Sequence, residues 1–296
     1  MDGLRSLELP DGSTLDIVVD DAAPNGAGLL AYHHGTPAAG PLDPALVGAA
    51  RAYGLQVVEL VRPGYGGSTR HPGRTIADVV PLVAALADHL GHDRFVTLGW
   101  SGGGPHALAT AALLPERCAG VLALASVAPF DADGLDFLAG MGRDNIDEFG
   151  AALAGEAELE AFLTAMAADL ATVTGPQVND ALDSLLPPVD KAHLTGEAAE
   201  HMAAELRWSV ARGIWGWFDD DIAFTQDWGF DLASITVPVH LWQGSDDLMV
   251  PFAHGRWLAA QLPSAHARLD AGEGHLSLIA HIDEGMAALR DALQGR

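Results

Sequence analysis

The segment Gly99-Trp100-Ser101-Gly102-Gly103 sets a serine between two near glycines. Arg94–Gly99 reads as a strand before it, and Gly104-Pro105-His106-Ala107-Leu108 opens a helix after it. A serine on a tight strand-to-helix turn needs small neighbours, because the backbone folds back too closely to leave room for a Cβ. Such a turn lifts the hydroxyl clear of the sheet, with the helix N-terminus behind it to favour negative charge. Pro105 falls in the first helical turn, where its missing N–H does no harm. The chemistry on offer is nucleophilic attack by Ser101, provided that a base takes its proton. A glycine-rich turn with no catalytic role would share the pattern, and it is the strand–turn–helix setting that favours a nucleophile.

Other elements must carry this turn. Leu7–Leu9 and Thr14–Val19 flank Pro10-Asp11-Gly12-Ser13 and read as an antiparallel hairpin. Short apolar strands are then expected at Gly28–His33, Gln56–Val61, Arg94–Gly99, Cys118–Val127, Val237–Gln243 and Ala267–Leu269. Helices are expected at Pro44–Tyr53, Ile76–Leu90, Gly104–Leu114, Phe252–Gln261 and Ser277–Leu293. Strands alternating with helices imply a largely parallel sheet covered on both faces. From about Phe130 to Phe230 the rhythm breaks into Ala-, Leu- and Glu-rich helical windows such as Glu156–Val173 and Gly196–Arg212, punctuated by Pro187-Pro188 and Asp219-Asp220-Asp221. The expected organisation is a core over 1–129, a helical cap over 130–230 and the remainder of the core over 231–296.

With these motifs in view, the chain resembles the α/β-hydrolase superfamily, in particular its capped serine hydrolases. His34-Gly35-Thr36-Pro37 looks like the family's oxyanion loop, and Arg62-Pro63-Gly64-Tyr65-Gly66-Gly67-Ser68 like the glycine-rich loop after the next strand. Gly244-Ser245-Asp246-Asp247-Leu248-Met249-Val250-Pro251 resembles the late-strand acid segment, and Gly272-Glu273-Gly274-His275 the terminal histidine loop. The likeness covers roughly Gly28–Val127 and Val237–Ala292. It implies a mostly parallel eight-stranded sheet flanked by helices, with an inserted helical cap. It also implies a triad of Ser101, Asp247 and His275, in the serine–acid–histidine order of that fold. Asp247 matches the family spacing, four residues before Pro251, and Asp246 is left to a turn or to solvent. The oxyanion hole is assigned to the N–H groups of Gly102 and Thr36; as a main-chain donor, Thr36 should tolerate side-chain replacement.

The remaining conspicuous residues have plainer explanations. Thirteen histidines include no H-x-x-x-H or H-E-x-x-H spacing, so no metal and no cofactor are expected. His34 is expected to be a hydrogen-bonded loop residue, and His106 and His281 to lie on helix surfaces or in helix packing. Trp208, Trp215, Trp217 and Trp228 are expected to anchor the cap. Trp100, Trp215 and Trp217 are the candidates to line a substrate pocket, although Trp100 could simply pack beside the nucleophile. Glu156, Glu158, Glu160, Glu197, Glu200 and Glu205 read as a solvated face, unless one of them receives a substrate ammonium. Gly66-Gly67 lacks the lysine of a phosphate-binding loop.

Composition bounds the function. The chain has 296 residues, a formal net charge of −25 and one cysteine, Cys118. So acidic a surface repels nucleic-acid phosphates and anionic lipid, and one cysteine makes no intrachain disulfide. No apolar run reaches the roughly 18 residues of a membrane span and no secretory leader is visible, so a cytoplasmic protein, monomer or homodimer, is expected. The leading expectation is hydrolysis of a carboxylic ester, lactone or thioester of a small to medium substrate through an acyl-enzyme. A serine at the elbow argues against the dehalogenases and epoxide hydrolases of the superfamily. The alternatives are an aminopeptidase resembling the proline iminopeptidases, or a ligand-binding protein of low turnover on the same fold.

Overall fold

A computed structural model describes residues 1–295. The hairpin β1 (Leu4–Glu8) and β2 (Thr14–Val19) leads into β3 (Gly28–His33), α1 (Pro44–Ala52), β4 (Leu55–Leu60) and α2 (Val80–Leu90). The nucleophile segment follows as β5 (Phe95–Trp100) and α3 (Gly104–Leu113), and then comes β6 (Cys118–Leu124). A helical run intervenes: α4 (Arg143–Ala154), α5 (Glu156–Leu170), α6 (Gly175–Ala181), α7 (Pro188–His193), α8 (Gly196–Val210) and α9 (Trp215–Phe224). The chain closes with β7 (Val239–Gly244), α10 (Phe252–Gln261), β8 (Ala265–Asp270) and α11 (Ile282–Leu293).

One eight-stranded sheet runs in the order β1-β2-β4-β3-β5-β6-β7-β8. Only β2 is antiparallel to its neighbours. The chain leaves β3 to build β4 on one side and returns to build β5 on the other. Loops after β3 and β5 therefore diverge and open a crevice at the strand C-termini. This topology explains why the His34–Thr36 loop and the Ser101 turn meet.

Helices cover both faces, so the central strands are mostly apolar on both sides rather than alternating, with His33, Glu59 and Thr97 as buried polar exceptions. α1 and α11 bury Leu46, Leu122 and Met286 on one face. α2, α3 and α10 bury Val83, Leu108, Val121 and Leu258 on the other. The helical run has an apolar cluster of its own around Leu159, Leu163, Val178, Leu206 and Phe218. Local signals set the element ends. Asp43 caps α1 by accepting the Ala45 and Leu46 N–H groups, with Pro44 in the first turn. Gly91 ends α2 at φ 75°.

Four boundaries differ from expectation for identifiable reasons. The Ile76–Leu90 window splits into a 3-10 turn at Ala77–Val79 and then α2, because Pro81 has no N–H to bond back into the preceding turn. Ser277–Leu293 likewise divides into a 3-10 turn, Ser277–His281, and α11. β6 stops at Leu124 because Ala125 takes φ 47°, outside the strand region. β8 extends over Ala265–Asp270; its polar His266 and Arg268 hide an edge strand that pairs fully with β7. Among the described residues no helix is long and apolar enough to cross a membrane.

Leu163 is fully buried in the helical run, whereas Leu113 is 46% exposed. Leu163→Ala should lower the unfolding free energy by about 2–5 kcal/mol. Leu113→Ala should stay within about 0.5 kcal/mol. Urea denaturation of the two variants checks the difference.

Candidate active site

Ser101 sits immediately after β5 at φ 54°, a left-handed backbone rare for a residue with a side chain. Its neighbours show why the turn is glycine-rich. A Cβ on Gly99 would run into the Gly103 carbonyl, and one on Gly103 into the His33 carbonyl. The turn thus packs against both its own strand and β3. Beneath it, His106 donates from Nδ1 to the Gly102 carbonyl at 2.9 Å. Burial holds that imidazole well below the ordinary histidine value, hence neutral.

The candidate acid and base come from the loops after β7 and β8. His275 Nδ1 donates to Asp247 Oδ2 at 2.8 Å. This fixes the tautomer that leaves Nε2 to accept a proton. Asp247 is held by three further donors: Gln243 Nε2 to Oδ2 at 2.9 Å, and the Met249 and Val250 N–H groups to Oδ1 at 2.8 Å each. Asp246 points elsewhere, accepting from Ser245 Oγ at an exposed turn. Burial alone would lower the His275 imidazole. The Asp247 charge and hydrogen bond, with a smaller contribution from Asp190, outweigh it and raise His275 above the ordinary value. Ser101 and His275 open onto the same cavity. Among the described residues Ser101 Oγ makes no hydrogen bond, and a serine–histidine contact is often loose before substrate arrives.

The two candidate oxyanion donors flank Ser101. Gly102 belongs to the 3-10 turn that leads into α3, where N–H groups lack intrahelical acceptors. The Thr36 N–H has no partner among the described residues. The Thr36 side chain, by contrast, is engaged: Oγ1 donates to Asp220 Oδ2 at 2.7 Å and accepts from Arg62 Nη2 at 2.9 Å. These side-chain contacts bear on the expectation that Thr36 tolerates side-chain replacement: they are lost when the hydroxyl is removed. Arg62 also donates to the His34 and Gly35 carbonyls at 2.5 and 2.9 Å. Asp220, from α9, binds Arg62, Arg74 and, at 2.9 Å, Tyr65 Oη. Arg62, Arg74 and Asp220 have no solvent exposure. Burial would push the Asp220 carboxyl up, but the two guanidiniums outweigh it and hold it well below the usual carboxylate range. An insertion residue thus braces the His34–Thr36 loop through a wholly buried ion cluster.

The cavity measures about 200 Å³. Its floor holds Ser101, Trp100, Thr36 and His275, and its roof is formed by insertion side chains including Met166, Leu182, Met202 and Trp217. Trp100 and Trp217 therefore line it as expected. Trp215 does not: it packs under the Arg70 guanidinium, 3.9 Å from the ring, and against Phe218. Two residues apart on a helix is about 200° of rotation, which sends Trp215 and Trp217 to opposite faces. The solvated glutamate face is also corrected at one position. Glu156, Glu158, Glu160, Glu197 and Glu200 are exposed, but Glu205 is buried, pairs with His201 at 3.4 Å and lines the cavity. Glu148, not anticipated, lines it too and accepts from Trp217 Nε1 at 2.6 Å. Burial pushes Glu148 up to about 7.

Other residues fall into structural places. His34 donates from Nδ1 to the Gly35 carbonyl at 2.7 Å and receives the Arg62 N–H on Nε2. His281 is half-buried beside Glu273 and Glu284. Trp228 is buried against Phe230, and Trp208 lies against Gly40 and Gly66. Among the described residues no three His, Cys, Asp or Glu side chains converge as metal ligands.

Asp247→Asn should lower kcat by about 10⁴ by favouring the wrong histidine tautomer, whereas Asp246→Asn should change it less than twofold. The acid limb of kcat/KM should lie above about 6.5, because His275 must be neutral to act and its value is raised. Asp220→Asn should lower the unfolding free energy by about 3–5 kcal/mol, since it leaves two buried guanidiniums without their counter-ion. Steady-state kinetics across pH and urea denaturation check these outcomes.

The chain matches the model of the alpha/beta hydrolase fold family over residues 28–282. It is 34% identical over 70 residues to the pimeloyl-[acyl-carrier protein] methyl ester esterase of Aromatoleum aromaticum, a stretch covering 23% of this chain and 28% of that relative. Among solved structures it resembles an esterase from Rhodococcus sp. ECU1013, with a TM-score of 0.67 and 19% identity over 98% of this chain and 99% of that one. It also resembles a bromoperoxidase from Bacillus anthracis, with a TM-score of 0.69 and 18% identity over 98% and 99%. At such identities these structural likenesses carry the fold alone. The family match, the strand order and the serine turn agree: this chain belongs to the alpha/beta hydrolase fold family.

Proposed function

We propose that the protein is a serine hydrolase that cleaves a carboxylic ester, lactone or thioester of a small to medium, largely apolar substrate. The observation that carries this reading is the buried Asp247–His275 hydrogen bond, facing the same cavity as a serine in left-handed backbone. His275 Nε2 takes the Ser101 proton as Oγ attacks the acyl carbon. The N–H groups of Gly102 and Thr36 receive the negative charge that develops on the carbonyl oxygen, each worth about 3–4 kcal/mol in the transition state. As the tetrahedral intermediate collapses, His275 returns the proton to the departing alcohol or thiol. Water, deprotonated by the same imidazole, then releases the acyl group from Ser101. The name of the Aromatoleum relative, a methyl ester esterase matched over 28% of its length, supports the ester over other acyl derivatives.

A second reading has one specific observation behind it. Asp43, Asp144, Glu148 and Glu205 line the cavity, and among the described residues no lysine or arginine does. A substrate with a free amino group, as an aminopeptidase takes, would find carboxylates there. Against it, burial raises both Glu148 and Glu205, and apolar side chains make up most of the roof. Ester hydrolysis is therefore the reading we retain.

A nitrophenyl acyl ester should be hydrolysed faster than a prolyl anilide; a clearly faster anilide would overturn the ester assignment. Ser101→Ala should lower kcat by about 10⁶, close to complete loss of triad function, with an unchanged circular dichroism spectrum. Retention of most activity in that variant would reject the serine mechanism.

A further inference from the structure

Asp190 lies on α7, in the helical insertion, and has no solvent exposure. Its carboxylate faces the backbone of the histidine loop, 85 residues further along the chain. Oδ2 accepts the His275 N–H at 2.7 Å, and Oδ1 accepts the Leu276 and Ser277 N–H groups at 2.9 Å each. These N–H groups lead into the Ser277–His281 turn and have no acceptor within it. Ser277 Oγ secures the same loop by accepting the Gly274 N–H at 2.8 Å. The fit is close from the loop side as well: a Cβ on Gly274 would land on the Asp190 carboxylate.

Two carboxylates thus hold His275 in different ways. Asp247, from the loop after β7, holds the ring through Nδ1. Asp190, from the insertion, holds the peptide that carries the ring. Hydrogen bonds to a charged acceptor are roughly twice as strong as neutral ones, and in a buried loop nothing replaces them when the acceptor is removed. We propose that Asp190 is a positioning residue for His275, fixing the loop backbone from the cap so that Nε2 is aimed at Ser101. This rests on the serine-hydrolase reading above.

The alternative role for Asp190 is to fasten the insertion without bearing on the base. Because the insertion roofs the cavity, a loosened roof would show in KM, whereas a misaimed base would show in kcat. A displacement of about 1 Å can lower a rate about 100-fold. In the full-length protein, with a short-chain nitrophenyl ester, Asp190→Ala should lower kcat about 100-fold and leave KM within about threefold. Asp190→Asn keeps the Oδ1 acceptor but turns an amide N–H toward the His275 N–H, so it should also lose kcat despite its equal size. Gly274→Ala tests the contact from the other side and should lower kcat similarly by displacing the carboxylate. The double variant Asp190→Ala/Gly274→Ala should be no slower than Asp190→Ala alone, because the methyl then enters vacated space.

Multiplying losses in the double variant, or a raised KM with kcat preserved in the single variants, would overturn the positioning role. Full kcat in both Asp190→Asn and Gly274→Ala would do the same, even if Asp190→Ala failed to fold. Each result is read beside Ser101→Ala. If that variant is silent while the Asp190 and Gly274 variants keep kcat, the positioning role alone fails; if it stays active, the hydrolase reading fails.

Discussion

A residue with a side chain held in left-handed backbone, among glycines whose surroundings leave no room for a Cβ, is the constraint on which the rest of the structure depends. Ser101 at φ 54° is tolerated because β3, β5 and α3 over-determine it. The same crowding brings the His34–Thr36 loop against Ser101, since a Cβ on Gly103 would meet the His33 and His34 carbonyls. Strand order then does the rest. By placing β3 between β4 and β5, the sheet parts its loops at this turn and leaves a crevice for a substrate.

The helical insertion is more than a cover. It contributes apolar side chains to the roof, but it also sends carboxylates down to two loops of the core. Asp220 reaches the oxyanion loop through Arg62 and Thr36, and Asp190 reaches the histidine loop. Burying such charge is unfavourable by several kcal/mol per ion unless it is fully paired. Asp220 meets that requirement with two guanidiniums and Asp190 with three peptide N–H groups. Docking of the insertion and the shape of the candidate site are therefore coupled: the His34–Thr36 loop loses its bond to Asp220 if α9 withdraws, and the histidine loop its three bonds to Asp190 if α7 does.

Local features of the sequence made most of the frame legible. Strand–helix alternation, the glycines around Ser101 and the apolar runs of β3 to β6 all act over a few residues. The resemblance to the family's acid segment favours Asp247 over Asp246, and Asp247 is the one that faces His275. What lay hidden depends on distant partners. Asp219-Asp220-Asp221 read as punctuation, yet three carboxylates in a helix with Trp217, Phe218 and Ile222 cannot all reach solvent, and Asp220 finds Arg62 at a separation of 158 residues. Asp190 has no local signature in a chain of 40 acidic residues. Glu205 adjoins the buried Ala203–Leu206 face of α8, so helical phase distinguishes it from the exposed glutamates. Phase also separates Trp217 from Trp215, a difference that residue type alone does not show.

At the centre stands the claim that Ser101 is a nucleophile made reactive by His275. Treatment with a fluorophosphonate, followed by mass mapping of the peptides, tests it most directly. The phosphonyl group should appear on Ser101, at a rate that falls by orders of magnitude in His275→Ala. Labelling at another residue, or labelling of Ser101 at an undiminished rate without the imidazole, would contradict it.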